Sequence, residues 1–349
     1  MRLEPYTIFV SLCSYRDPLL YSTVMSLIQE RCGRNRIVIG IFEQIVAEDS
    51  LPVKYPDIKE AIDAYENNTP RWSVNGEPRP AEIIYKRIDP QYSNGAGWAR
   101  AINQYQLSPD KYDLLYQIDS HMLFDKDWDR TLISDYEDAI IKYNTKKVII
   151  TAPCKWYDVL EDNSISKGPE LYYEDTKETS YRATGHMLYY MTNAFVNGYI
   201  ISAHGQIDPI RPGIRDAIHI CAGNTVFPSQ WVRDVGNNIE IHFEGEEQWL
   251  SLASFAAGYQ LCHPKEIVSY HYMKSGNYIT KVWFEQVVSN FRRSHDVLRS
   301  IAVLTKLIST LPEDVLKRFY EYSGIDYINK TVDQRALHPH PPFTLPPKE

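Results

Sequence analysis

The chain has 349 residues and 44% hydrophobic content, which suits one large globular α/β domain or such a domain with an appendage. Its formal net charge of -8 and pI near 5.7 argue against a general polyanion-binding surface, so nucleic acid is not an expected partner. The 5 scattered cysteines lack Cys-x-x-Cys spacing, and the apolar run at residues 8–13 is too short for a membrane span, so we expect reduced thiols, a cytoplasmic location and no membrane attachment.

The first part of the chain alternates between patterns typical of strands and of helices. In order, the pattern predicts a strand at 7–13, a loop at 14–18, a helix at 19–29, and strands at 36–42 and 81–89. Residues 52–80 are rich in loop-forming residues around one short helical segment at 58–65.

A glycine-containing segment follows the third predicted strand and opens a helix that we expect to continue to Gln106. Gly95 and Gly97 permit a close backbone approach that a Cβ would obstruct. Arg100, about one turn into the helix, is placed to reach a nucleotide or a nearby carboxylate. A loop-to-helix entry with a solvated arginine is the structural alternative.

The central signal lies where an apolar run at residues 112–118 ends. This run suits a buried strand, so Asp119 and His121 lie at the strand end where ligands collect in open α/β sheets. A carboxylate and an imidazole two positions apart can both turn toward one divalent cation. The alternative is a polar turn that caps the next helix.

The region after the central strand has several patterns. Residues 156–191 are acidic and rich in tyrosine, and we interpret them as irregular; aromatic faces of this kind stack well on sugar rings. Residues 217–224 are strand-like and end in Gly223 and Asn224. This segment is equally consistent with an ordinary strand that ends in a turn.

Two further patterns carry candidate site residues. Gly245 opens a helix predicted to end near Gly258, and Glu246 and Glu247 occupy its first turn, where the helix dipole alone also favours acids. His271 follows one more strand-like run and is a candidate third metal ligand. The histidines that compete for this role are His204, His219 and His242.

The last part of the chain is predicted to be helical and then extended. Residues 282–311 have helical periodicity and an apolar stripe that would cover the main domain or form a homodimer surface. We therefore expect a catalytic domain at 1–278, C-terminal helices at 279–336 and a proline-rich, extended or disordered tail at 337–349.

Three motifs in this order carry a family resemblance: Ser-Tyr-Arg-Asp at 14–17, Asp-Ser-His at 119–121 and Phe-x-Gly-Glu-Glu at 243–247. Together they resemble GT-A glycosyltransferases over roughly residues 6–275. Within that class the chain is similar to the Skp1-type cytoplasmic N-acetylglucosaminyltransferases and, more distantly, to the polypeptide N-acetylgalactosaminyltransferases.

The resemblance implies a GT-A α/β fold, with a mixed, mostly parallel central sheet flanked by helices and a C-terminal helical appendage. It implies retaining transfer of N-acetylglucosamine from UDP-GlcNAc to a hydroxyl acceptor on a protein or glycan. The metal, Mn2+ or Mg2+, would be held by Asp119, His121 and His271. Glu246 and Glu247 would act at the sugar or acceptor. The implied nucleotide-sugar contacts are Ser11, Ser14, Tyr15, Arg16, Arg100, Ser120, Gly223 and Asn224.

Two alternatives to this function remain open. A metal-dependent nucleotidyl or phosphoryl transferase would also use an Asp-x-His clamp, although the chain lacks the lysine-containing phosphate loop expected of it. A non-catalytic glycan- or nucleotide-binding module would keep the same fold.

Overall fold

The computed structural model describes residues 5–45, 73–74, 77–78, 81–159, 165–167, 187–196, 199–209, 213–272 and 289–333. The short helix predicted at 58–65 and the tail predicted at 337–349 lie outside these residues.

The described residues alternate between strands and helices along the chain. The strands are β1 (Thr7–Tyr15), β2 (Arg36–Gln44), β3 (Ser73–Val74), β4 (Glu77–Pro78), β5 (Glu82–Ile88), β6 (Leu114–Ile118), β7 (Met122–Phe124), β8 (Val148–Thr151), β9 (Lys155–Val159), β10 (Ile165–Lys167), β11 (Met187–Val196), β12 (Tyr199–Pro209), β13 (Arg215–Asp216), β14 (Asn224–Pro228), β15 (Gln260–His263), β16 (Ser269–Tyr272), β17 (Ile325–Asp326) and β18 (Thr331–Val332). The helices are α1 (Leu20–Gln29), α2 (Gly95–Asn103), α3 (Trp128–Tyr143), α4 (Ser229–Asp234), α5 (Glu246–Ala256), α6 (Ser289–Thr310) and α7 (Glu313–Ser323), with 3₁₀ turns at Pro90–Tyr92 and Pro109–Lys111.

A mixed sheet of 8 strands forms the centre, in the order β13-β15-β8-β14-β6-β1-β2-β5. Strands β6, β1, β2 and β5 run parallel, and so do β15 and β8. Strands β14 and β13 are antiparallel to their neighbours. The prediction of a mixed, mostly parallel central sheet flanked by helices is confirmed.

The central sheet is covered on both faces, which explains why its strands are nearly continuous apolar runs. Alternate residues of β1 belong to two different cores, with Ile8 in one and Phe9 in the other. The first core includes Val24 of α1 and Trp128 of α3, whereas the second includes Trp231 of α4. Burial of each such side chain stabilises the fold by about 1.5–3 kcal/mol, and together they fix the strand ends that carry the polar residues.

A smaller sheet of 4 strands, in the order β10-β9-β16-β7, stands beside the central one. Our interpretation of residues 156–191 as irregular is wrong where the structure describes them, because β9, β10 and the start of β11 are strands. The acidic composition did not indicate β9, whose buried residue Tyr157 packs against Tyr272 of β16 with ring centroids 5.7 Å apart.

Residues 217–224 are also not the predicted strand. Only Asn224 belongs to β14, and residues 217–223 form a turn between β13 and β14. The Cys221 carbonyl accepts bonds from the Asn224 N–H at 3.0 Å and from Thr225 Oγ1 at 2.6 Å, so it is satisfied within the turn instead of across a ladder. The apolar residues that suggested a strand are buried against α5, although they do not form a strand.

The C-terminal helices α6 and α7 pack on α5 and so cover part of the main domain. This is one of the two roles that the apolar stripe at 282–311 suggested. Phe319 of α7 is fully buried and joins Leu252 of α5 and the half-buried Leu304 of α6 in a third core. The domain boundaries at 278 and 336 and the homodimer surface remain predictions. Among the helices that the structure describes, none combines the length and apolar character needed to cross a membrane.

Candidate metal centre and its surroundings

Three side chains predicted as metal ligands come together at the carboxyl end of β6. Asp119 follows β6, His121 lies two residues later, and His271 lies on β16. One ligand atom from each falls within 4.8 Å of the others. His271 Nε2 lies 3.3 Å from Asp119 Oδ2, and the two imidazole rings meet edge to face with centroids 4.4 Å apart.

Strand pairing brings His271 to this position across a long sequence separation. In the small sheet His271 lies opposite Met122, the residue that follows His121. The N–H of Tyr272 donates to the carbonyl of His121 at 3.1 Å and thereby ties the two segments together. The two histidines therefore come from adjacent backbone segments.

Gly223 packs directly against the Asp119 carboxylate. The Asp119 N–H donates to the Gly223 carbonyl at 3.2 Å. A Cβ at position 223 would lie 2.2 Å from Asp119 Oδ2, far inside van der Waals contact. Glycine is therefore required here for close approach to the carboxylate.

Arg100 of α2 connects Asp119 to the acidic start of α5. Its Nη2 donates to Asp119 Oδ1 and its Nη1 to Glu246 Oε2, each at 2.5 Å; Arg100 and Glu246 are buried, and Asp119 is half-buried. Burial alone would raise the pKa of Asp119, but Arg100 and then His271 hold it well below its usual value. Of the two targets predicted for Arg100, the nucleotide and the carboxylate, this structure shows the carboxylate.

The two adjacent acids of α5 have different surroundings. Gly245 begins the helix in the left-handed region at φ 80°, which lets both acids turn inward. Glu246 pairs with Arg100, whereas Glu247 Oε1 accepts the Ala222 N–H at 3.1 Å. Burial raises the pKa of Glu247 to about 7, even though the Ala222 N–H favours the charged form.

The residues predicted to contact the nucleotide-sugar lie around this centre with unequal exposure. Ser11 is buried and accepts from Asn103 Nδ2 at 2.9 Å. Asn224 is also buried, accepting from the Tyr116 hydroxyl at 2.8 Å and donating to the Ala152 carbonyl at 2.7 Å.

At the carboxyl end of β1, Ser14 is buried while Tyr15 and Arg16 are half-buried. Ser14 and Tyr15 were predicted in a loop, but they belong to β1. Direct contact of these residues with a nucleotide-sugar stays a prediction.

Asp17 was not assigned a role from the sequence, although it ends the Ser-Tyr-Arg-Asp motif. Its Oδ2 accepts from Ser120 Oγ at 2.5 Å and lies 2.6 Å from His121 Nδ1. Its Oδ1 accepts the Leu19 N–H at 2.8 Å. In the sequence, an aspartate just before a helix suggests a capping residue. The neighbouring residues do not indicate that its other oxygen contacts a histidine 104 positions away.

Of the competing histidines, the two whose side chains the structure describes do not join the group. His219 is buried, and burial lowers its pKa to about 4, while His242 packs against Gly95. The side chain of His204 lies outside the described residues. Arg233 pairs with Asp110 beside the opposite end of β6 and lies away from the centre.

Comparisons with known proteins give a family and a fold. A family model described as Glycosyltransferase (GlcNAc) matches residues 7–327. The solved structure of GalNAc-T7 with UDP, GalNAc and Mn2+ is similar with a TM-score of 0.53 and 14% identity, covering 93% of this chain and 53% of that chain. The chain thus spans about half the length of that protein. S. aureus TarS gives a TM-score of 0.43 and 10% identity, covering 95% of this chain and 50% of that one. No curated protein matches the sequence.

Proposed function

Because the chain belongs to the Glycosyltransferase (GlcNAc) family, we propose that it transfers N-acetylglucosamine from UDP-GlcNAc to a hydroxyl group of a protein or glycan acceptor. The transfer depends on a divalent cation, Mn2+ or Mg2+, held by Asp119, His121 and His271. Retention of the anomeric configuration and a cytoplasmic location belong to the same proposal.

The convergence of these three side chains at the carboxyl end of β6 is the observation that carries the proposal. In α/β sheets this end receives ligands. The GalNAc-T7 structure, which has a similar fold, contains UDP, GalNAc and Mn2+. The family description names GlcNAc, which favours N-acetylglucosamine as the transferred sugar.

The residues fit a divalent cation chemically. One carboxylate oxygen and two imidazole nitrogens form a mixed oxygen and nitrogen donor set, which suits Mn2+ better than the harder Mg2+, because Mg2+ prefers oxygen ligands. Arg100 holds Asp119 Oδ1, so Oδ2 is the oxygen that faces His271. A cation bound there would neutralise the charge that develops on the departing diphosphate.

The surrounding residues would bind and orient the donor. Tyr15 at the end of β1 and Arg16 next to it would border the nucleotide, and Ser120 lies between Asp119 and His121 in the Asp-Ser-His motif. Glu247 is fixed on the turn at residues 217–223, where it would border the sugar or acceptor. Glu246 would act there through Arg100, which it pairs with.

UDP release from UDP-GlcNAc, measured with Mn2+, with Mg2+ and with EDTA, tests the proposal. We expect metal-dependent release by the native protein and its loss in Asp119→Ala. The matched control is Asp110→Ala, which removes an exposed carboxylate beside the other end of β6 and should keep full activity. Turnover in EDTA, or an active Asp119→Ala protein, would contradict the metal role.

The products and the donor panel separate the alternatives. Release of N-acetylglucosamine 1-phosphate or of UMP instead of UDP would favour a nucleotidyl or a phosphoryl transferase, respectively. Metal-dependent UDP binding without turnover of any UDP-sugar in the panel would favour a binding module. Nuclear magnetic resonance of the anomeric proton in the product would decide whether the configuration is retained.

A further inference from the structure

We propose that Asp17 is a positioning residue for His121 and thereby sets the affinity of the centre for its divalent cation. This inference rests on the metal centre of the proposed function. It assigns a role to a carboxylate that is not one of the three predicted ligands.

The contacts of Asp17 divide cleanly between its two oxygens. Oδ1 accepts the Leu19 N–H at 2.8 Å, within the turn that leads into α1. Oδ2 accepts from Ser120 Oγ at 2.5 Å and lies 2.6 Å from His121 Nδ1. With the Asp17 side chain only 2% exposed, water does not compete for these contacts.

The bond to Asp17 selects which nitrogen of His121 can bind a metal. A neutral imidazole carries one N–H and one lone pair, and a carboxylate accepts but cannot donate. Nδ1 therefore carries the proton that points at Asp17, and Nε2 carries the lone pair. A carboxylate in this position also fixes the ring orientation and increases the basicity of the ligating nitrogen.

The start of α1 holds the backbone of the same turn as well. Thr23 Oγ1 donates to the Ser120 carbonyl at 2.8 Å, and the Met122 N–H donates to Thr23 Oγ1 at 2.8 Å. Thr23 therefore holds the backbone on both sides of His121, whereas Asp17 holds the side chains of His121 and Ser120. Since α1 is packed into the first core through Leu20 and Val24, this support is rigid.

The test is Asp17→Asn, which keeps the size of the side chain and an oxygen for the Leu19 N–H. It replaces the Oδ2 acceptor by an NH2 group, which cannot accept from His121 or Ser120. We expect the affinity for Mn2+ alone, measured by electron paramagnetic resonance of the free ion, to fall about 10- to 100-fold. Nitrogen chemical shifts of labelled histidine should also show that His121 loses its single tautomer.

Asp129→Asn is the matched control. Asp129 is buried and makes a similar set of bonds, with the Cys32 N–H at 2.8 Å, Cys32 Sγ at 3.1 Å and Asn35 Nδ2 at 2.9 Å. It belongs to α3 and touches no residue of the metal centre in these contacts. It should lose thermal stability much as Asp17→Asn does and keep native Mn2+ affinity.

The outcomes separate this inference from the proposed function. Native Mn2+ affinity in Asp17→Asn, or an equal loss in Asp129→Asn, would overturn the role of Asp17 and leave the metal centre standing. A native protein that binds no Mn2+ would overturn both. If Asp17→Asn fails to fold, Asp17→Ser replaces it, because the serine hydroxyl can still accept the Leu19 N–H in the turn before α1 but is too short to reach His121.

Discussion

Replacement of Gly223 by alanine should disable the centre while leaving the fold in place. The new Cβ would lie 2.2 Å from Asp119 Oδ2 and 2.8 Å from Asp119 Cγ. To reach ordinary contact the carboxylate must retreat by about 1 Å. Arg100 holds its other oxygen, so the carboxylate cannot retreat without breaking that ion pair.

The size of the effect follows from the displacement. A misplacement of about 1 Å in a catalytic constellation costs on the order of 100-fold in rate, which corresponds to about 2.7 kcal/mol of transition-state stabilisation. We therefore expect Gly223→Ala to release UDP from UDP-GlcNAc about 100-fold more slowly at saturating donor and to need more Mn2+ for half-maximal activity. Both quantities come from one matrix of initial rates over donor and Mn2+ concentrations.

Gly40→Ala is the control for steric crowding. Its Cβ would lie 2.4 Å from Phe9 Cζ in the core and should lower stability by about 1–3 kcal/mol. Once folded, it should keep the native Mn2+ requirement because Phe9 belongs to the second core. A Gly223→Ala protein with native rate and Mn2+ requirement would refute the argument that the carboxylate is sterically confined.

Three further predictions concern single side chains. Glu247→Gln should raise the melting temperature at pH 8 but not at pH 4. The pKa of Glu247 is about 7 in the folded protein and 4.5 ordinarily, so the native protein loses up to about 3 kcal/mol of stability as the pH rises from 4.5 to 7. Glu246→Gln should lower the free energy of unfolding of the metal-free protein by about 1.5–3 kcal/mol, because it replaces one of the two charged partners of the buried Arg100 by a neutral amide. His271→Ala should weaken Mn2+-dependent UDP binding, measured by calorimetry, far more than His263→Ala.

Each of these predictions has a matched comparison. Equal melting temperatures of Glu247→Gln and native protein at pH 8 would contradict the buried-carboxylate argument. For Glu246 the comparison is Glu82→Gln, which breaks an exposed pair with Arg36 and should leave stability unchanged. His263 is buried and bonds to the Thr151 carbonyl, so equal losses at both histidines would indicate structural roles for the two of them.

The central strands and the candidate ligands could be predicted because their signals are local or ordered along the chain. Strands β1, β2 and β6 are runs of apolar residues bounded by polar ones, so their existence followed from the sequence, although β1 continues two residues beyond its prediction. Asp119 and His121 share one strand end. Only the order of motifs indicated His271, since a lone histidine carries no such information.

The rest depended on tertiary contacts that a sequence pattern does not encode. The choice of Glu246 as partner of Arg100 spans 146 positions, and either of two adjacent acids would fit the pattern. Residues 217–223 have strand-like composition, but bonds to side chains and neighbouring elements hold them in a turn. Asp17 looks like an ordinary helix cap until the fold brings His121 to its second oxygen.

The place of His271 on β16 constrains the length of the chain on either side of it. β16 is hydrogen-bonded to β7 on one side and β9 on the other, with His271 opposite Met122 and Trp156. Because side chains alternate across a strand, a single-residue insertion or deletion at 264–268 would turn the histidine to the opposite face and present a tyrosine in its place. Related chains with the same chemistry should therefore vary in length at other loops and keep this one fixed, and insertion tags placed here should be the least tolerated.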